Sequence, residues 1–247
     1  MTWATVLVRG QPVEYQRLGD GPPVVLLHGL AGSVRWWGRN IRALAQHHTL
    51  YLVNLPGFGA FRRQPQAFVL QEAADWLAEW IDAVQIGPCH VVAHSMGGFL
   101  TLRLAARQPG LLQRIVLVGP AGVPHHRSLP RFAWPIVAAG LAASPTFMPI
   151  LALDSLRAGP RTLLRAARDL IAEDIRDDLR AVSAPTLLVW GSRDALVPPS
   201  LGPLMRRELP DARLLLLPGA GHVAQYDRHQ EFNAATLAFL AGETVGE

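Results

Sequence analysis

The chain has 247 residues, 50% of them hydrophobic and 17% charged, enough for one sizeable core and too apolar for a disordered protein. Its formal net charge is +4 and its 23 basic residues are all arginine, but they lie scattered among acids without a basic run, which argues against a nucleic-acid partner. A single cysteine, Cys89, rules out an internal disulfide and reads as a buried, inert thiol.

The N-terminus lacks a charged segment followed by an apolar stretch, so no secretory signal is expected and the location reads as cytoplasmic. Residues 6–10 and 13–19 read as a strand pair joined around Gln11 and Pro12. The run PVVLLHG (23–29) is continuously apolar, as a strand buried on both faces must be. A helix is expected over 34–46 and a strand over 49–59, ending in a Pro/Gly turn. Leu70, Ala73, Ala74, Leu77, Trp80, Ile81 and Val84 recur at helical spacing. The next strand is 90–94, followed by a helix over 99–108 and a strand and loop over 114–122.

Residues 123–180 break this rhythm and contain no convincing strand. Within them, Phe132 to Leu153 is uncharged and long enough to span a bilayer, but Pro135, Pro145 and Pro149 interrupt it. A broken apolar segment within the domain is therefore expected, without stable membrane insertion. The alternation resumes with a strand at 185–194, a helix around 199–208, a strand at 212–222 and a last helix near 227–241.

Strand–helix alternation with buried strands implies an α/β fold, a mostly parallel central sheet flanked by helices. Residues 1–122 and 181–247 form the expected core, and 123–180 a helical cap or lid insertion. In such sheets ligands bind beyond the carboxyl ends of the strands. There the sequence places His28-Gly29-Leu30-Ala31-Gly32, Asn54-Leu55-Pro56-Gly57-Phe58-Gly59, Ser95-Met96-Gly97-Gly98, Asp194-Ala195-Leu196-Val197-Pro198 and Gly219-Ala220-Gly221-His222.

Ala93-His94-Ser95-Met96-Gly97 resembles the nucleophile elbow G-x-S-x-G, with alanine in place of the first glycine. The order Ser95, Asp194, His222, together with HGLAGS, LPGFG, AHSMGG, WGSRDALVP and GAGH, resembles the α/β-hydrolase superfamily in its compact, capped, esterase- and lipase-like branch. The resemblance covers nearly the whole chain. Asn54 stands where the family often has Asp, at a position that supports a turn. The loop after the preceding strand, Gly119-Pro120-Ala121-Gly122, holds no acid that could replace Asp194.

The resemblance implies a serine hydrolase acting on carboxylic esters with apolar groups. Ser95 would be the nucleophile, His222 the base and later acid, and Asp194 the group that fixes the imidazole tautomer. Backbone N–H groups of Leu30 and Met96 would hold the oxyanion. Substrate contacts are expected from His28, Gly29, His94, Trp134, Phe147 and Met148, while Trp36 and Trp37 read as core. Asp154 and Glu173 read as solvated charges of the lid, and Ser33 as a turn or pocket residue. The partner is a small hydrophobic ester; no metal or organic cofactor is expected. Thioesterases, carbon–carbon bond hydrolases, lactonases and acyltransferases share the same machinery, and a ligand-binding module that lost the chemistry is the rival of another class.

Overall fold

The computed structural model describes residues 2–59, 68–124 and 143–247. Eight strands form one sheet: β1 (Thr2–Val8), β2 (Gln11–Leu18), β3 (Pro23–Leu27), β4 (Thr49–Val53), β5 (Cys89–His94), β6 (Leu112–Val118), β7 (Thr186–Gly191) and β8 (Ala212–Leu217), in the order β1-β2-β4-β3-β5-β6-β7-β8. β2 runs antiparallel to both β1 and β4, and every other pair is parallel.

The central strands are apolar on both faces because both faces are covered. Val25 and Leu27 of β3, Val91 and Ala93 of β5, Ile115 and Leu117 of β6, and Leu188 and Trp190 of β7 point into one core. Their alternates, Val24, Leu26, Val92, Val116, Val118, Leu187 and Val189, point into the other. The first core packs under α2 (Leu70–Val84) and α3 (Met96–Arg107). The second packs under α1 (Ile41–Leu44) and α9 (His229–Leu240), through Leu44, Phe232 and Phe239.

Between β6 and β7 lie α4 (Met148–Ala158), α5 (Pro160–Ala172) and α6 (Arg176–Ala181), with 125–142 outside the described residues. Ile175 and Leu179 are fully buried in the first core. α7 (Leu201–Glu208) follows β7, and α8 (Ala224–Asp227) precedes α9. Among the described residues no helix is long and apolar enough to cross a membrane.

Several boundaries differ from the sequence reading. The first hairpin turns at Arg9 and Gly10, both with positive φ (51° and 73°), not at Gln11–Pro12. Two left-handed residues match the twist of the flanking strands, and Gly10 adopts that conformation without strain. The expected helix 34–46 is a 3₁₀ turn, Val34–Trp37, followed by the single turn α1. Gly38 closes the 3₁₀ turn on the Arg35 carbonyl, and the Asn40 amide donates to the Gln225 carbonyl and Asn233 Oδ1. The last helix starts early at Ala224 and breaks at Arg228. α3 begins at Met96 instead of residue 99, so Gly97 and Gly98 lie inside it.

The strand order changes direction at β3, with β4 on one side and β5 on the other. The loops after β3 and β5 therefore face each other across the crevice where α/β sheets bind ligands.

Candidate active site

Ser95 sits between β5 and α3 with φ 51° and ψ −112°. This left-handed conformation strains any residue with a Cβ, by roughly 1–3 kcal/mol. The surroundings hold it there: Ser95 N–H donates to the Val118 carbonyl at 2.9 Å, and its own carbonyl accepts from Phe99 and Ala121 at 3.1 and 3.2 Å. The glycines after it are a packing requirement. A Cβ on Gly97 would lie 2.6 Å from the His28 carbonyl oxygen, and one on Gly98 would lie 2.9 Å from Pro120 Cβ.

The loops after β5, β7 and β8 converge on this serine. His222 Nε2 lies 3.0 Å from Ser95 Oγ, and His222 Nδ1 lies 2.8 Å from Asp194 Oδ2. An ionised Asp194 only accepts, so the proton sits on Nδ1, and Nε2 offers its lone pair to the serine hydroxyl. Asp194 Oδ1 in turn accepts from the N–H groups of Leu196 and Val197, each at 2.9 Å. Asp194 and Ser95 are buried. Gly119, at φ +48°, lies beside this chain of contacts; a Cβ there would be 3.0 Å from Asp194 Oδ2 and 3.3 Å from His222 Nδ1.

Two further imidazoles hold the backbone around these groups. His94 donates from Nε2 to the His222 carbonyl at 2.9 Å, and the two rings stand 4.7 Å apart. Burial, reinforced by the neighbouring His222 and His28, pushes the His94 pKa well below the ordinary range, so it stays neutral. Its Nδ1 finds no hydrogen-bond partner among the described residues. His28 is fully buried with both nitrogens on backbone: Nδ1–H donates to the Gly29 carbonyl at 2.8 Å and Nε2 accepts from Leu55 N–H at 3.0 Å. Burial lowers its pKa to about 4. Both polar atoms of the His28 ring are thus engaged by the backbone of the β3 and β4 loops.

Gly29 marks the closest approach of the β3 loop to the serine, since a Cβ on it would lie 2.6 Å from His94 Nδ1 and 3.0 Å from Ser95 Cβ. Gly32 N–H closes a turn on the Gly29 carbonyl at 3.0 Å, with Ala31 left-handed at φ 63°. Leu30, inside this turn, is half-buried. Met96 opens α3, so its N–H has no carbonyl one turn back within the helix. Asn54 accepts from Val34 N–H at 2.9 Å and pins the β4 loop to the 3₁₀ turn.

The expected lid contacts divide. Phe147 is buried against Trp36, Val223 and Tyr226 and packs α4 onto the core, which removes it from open pocket surface. Met148 is 38% exposed, and Trp134 lies outside the described residues. Trp37 is core, packed near Phe232. Cys89 is buried, and burial alone raises its thiol pKa to about 12.

Asp154 is sealed from water and Glu173 is half-buried, so neither is a freely solvated charge. Asp154 is fully buried, paired with Arg35, and accepts from Ser33 Oγ at 2.7 Å and Trp36 Nε1 at 3.1 Å. Glu173 pairs with Arg103 at 2.9 Å. The sequence did carry a signal for Asp154. It is the lone charge in a long apolar run, and a carboxylate buried there must be paired. Among the described residues no cluster of three or more His, Cys, Asp or Glu side chains could hold a metal ion.

Residues 24–235 match the Alpha/beta hydrolase family. The chain is 30% identical to a pimeloyl-[acyl-carrier protein] methyl ester esterase of Aeromonas hydrophila, over 89% of this chain and 96% of that protein. It is also 30% identical to a dihydrolipoyllysine-residue acetyltransferase component of an acetoin cleaving system of Pseudomonas putida, over 94% of this chain and 68% of that protein. The crystal structure of a hydrolase from Pseudomonas aeruginosa superimposes with a TM-score of 0.83 at 24% identity, covering 96% of this chain and 98% of that one. With the elbow, the switch point and the converging loops in place, the chain belongs to the alpha/beta hydrolase family.

Proposed function

We propose that this protein is a serine hydrolase that cleaves carboxylic esters with apolar groups through an acyl-enzyme. The carrying observation is the continuous path from Ser95 Oγ through His222 to Asp194, with contacts of 3.0 and 2.8 Å. Ser95 attacks the ester carbonyl while His222 Nε2 takes its proton. The N–H groups of Leu30 and Met96 receive the oxyanion, each worth roughly 3 kcal/mol in the transition state. The alcohol leaves with the proton from His222, and water, activated by the same imidazole, releases the acid.

Residues 123–180 form the proposed cap, with Ile175 and α6 already returned to the main core. From this cap Met148, which is exposed, and Trp134 are proposed to face the substrate. The similarity to a methyl ester esterase supports an ester of a small alcohol. The similarity to an acetyltransferase component favours acyl transfer as the second reading. The single buried cysteine fits the cytoplasmic location proposed with it.

Hydrolysis of a p-nitrophenyl ester series from acetyl to palmitoyl tests the first reading. Turnover that disappears in Ser95→Ala is expected, and the chain-length optimum gives the pocket size. Turnover retained in Ser95→Ala contradicts it. Product accumulating only when an acceptor alcohol or thiol is supplied selects the transferase reading.

A further inference from the structure

The helix α4 is bonded to the segment that follows the Leu30 turn through the buried carboxylate of Asp154. Asp154, on α4, is fully buried, and its partners all lie on residues 33–36. Its Oδ2 accepts from Ser33 Oγ at 2.7 Å and from Trp36 Nε1 at 3.1 Å, and its Oδ1 pairs with the Arg35 guanidinium. Ser33 Oγ also accepts from Arg35 N–H at 3.2 Å, capping the 3₁₀ turn that follows the Gly29–Gly32 turn. Ser33 is three residues from Leu30.

The indole held by Asp154 lies between Phe147 and His94, edge-on to the first and tilted to the second. Trp36 stands 5.0 Å from the Phe147 ring of the cap and 5.4 Å from His94. His94 in turn holds the His222 carbonyl. One carboxylate therefore reaches the proposed oxyanion loop through Ser33 and the proposed base through Trp36 and His94. Arg35 is 36% exposed, so the charge pair alone does not explain why Asp154 is sealed from water.

We propose that Asp154 is a positioning residue that couples the seating of α4 to the geometry of the oxyanion loop. The proposal rests on the hydrolase reading above. A group acting this way affects the transition state more than ground-state binding.

The test compares Asp154→Asn, Ser33→Ala and the double variant Asp154→Asn/Arg35→Met on the best p-nitrophenyl ester, with thermal melts in parallel. Asp154→Asn is expected to lower kcat about tenfold or more with KM within about twofold. The double variant removes the unpaired charge and is expected to regain stability without regaining kcat. Ser33→Ala leaves the carboxylate and its arginine in place and is expected to show the same kcat-selective loss, even if Asp154→Asn fails to fold. An unchanged kcat in a folded single variant overturns the proposal, as does an effect confined to KM. So does a kcat that recovers together with stability in the double variant. Wild-type turnover abolished by Ser95→Ala establishes the underlying reading separately, so a null effect at Asp154 and Ser33 counts against the coupling alone.

Discussion

Gly119 shows how little room the site leaves. Its φ of +48° and the 3.0 Å from a built Cβ to Asp194 Oδ2 both exclude a side chain. Gly119→Ala is expected to push apart Asp194 and His222 and to reduce kcat at least about tenfold, checked by steady-state kinetics on a short-chain ester. His94→Leu removes the donor to the His222 carbonyl. A buried carbonyl left unpaired costs about 1–3 kcal/mol, so urea unfolding is expected to show a loss of that size along with lower kcat. The strand-end placement of Ser95, Asp194 and His222 was legible in the sequence because each follows an apolar strand. The work of His28 and Asp154 was not, since both depend on backbone and side chains that only the fold brings near.

The parallel strands were legible for a simple reason. A strand covered on both faces is apolar at nearly every position, and residues 24–27, 50–53, 91–93, 115–118 and 187–190 read as unbroken runs. Helix continuity was less legible. The stretches 34–46 and 224–240 have helical spacing, yet both are broken where a polar side chain serves tertiary structure. Asn40 interrupts the first to bond Gln225 and Asn233, and Asp227 ends α8 while accepting from Gly221 N–H at 2.9 Å, one residue before His222. Asn40→Ala should therefore destabilise the protein by about 1–3 kcal/mol in denaturant titration with little change in kcat, because its bonds tie α1 to α9 away from Ser95. A large kcat loss without destabilisation would contradict this division of roles.

At the scale of the whole molecule, the stability of the sheet and its two cores depends on buried neutral histidines. Burial lowers the pKa of His28 to about 4 and, with Arg114 and His48 nearby, that of His90 to about 4 as well. Both folded values lie below the unfolded value of 6.5. The unfolded chain thus takes up protons first as pH falls, and stability is lost progressively from about 6.5 down to about 4. The effect is roughly 2–3 kcal/mol per histidine, measured as the shift of the urea midpoint between pH 7.5 and pH 4.5. A midpoint that stays constant or rises over that interval would contradict it. Whether Ser95 is a nucleophile activated by His222 is decided by reacting the folded protein with a fluorophosphonate and mapping the adduct by peptide mass spectrometry. Stoichiometric modification at Ser95, slowed strongly in His222→Ala, is the expected result. A folded protein that takes no label, or takes it elsewhere, would contradict the hydrolase mechanism and leave an α/β-hydrolase fold that binds a ligand without cleaving it.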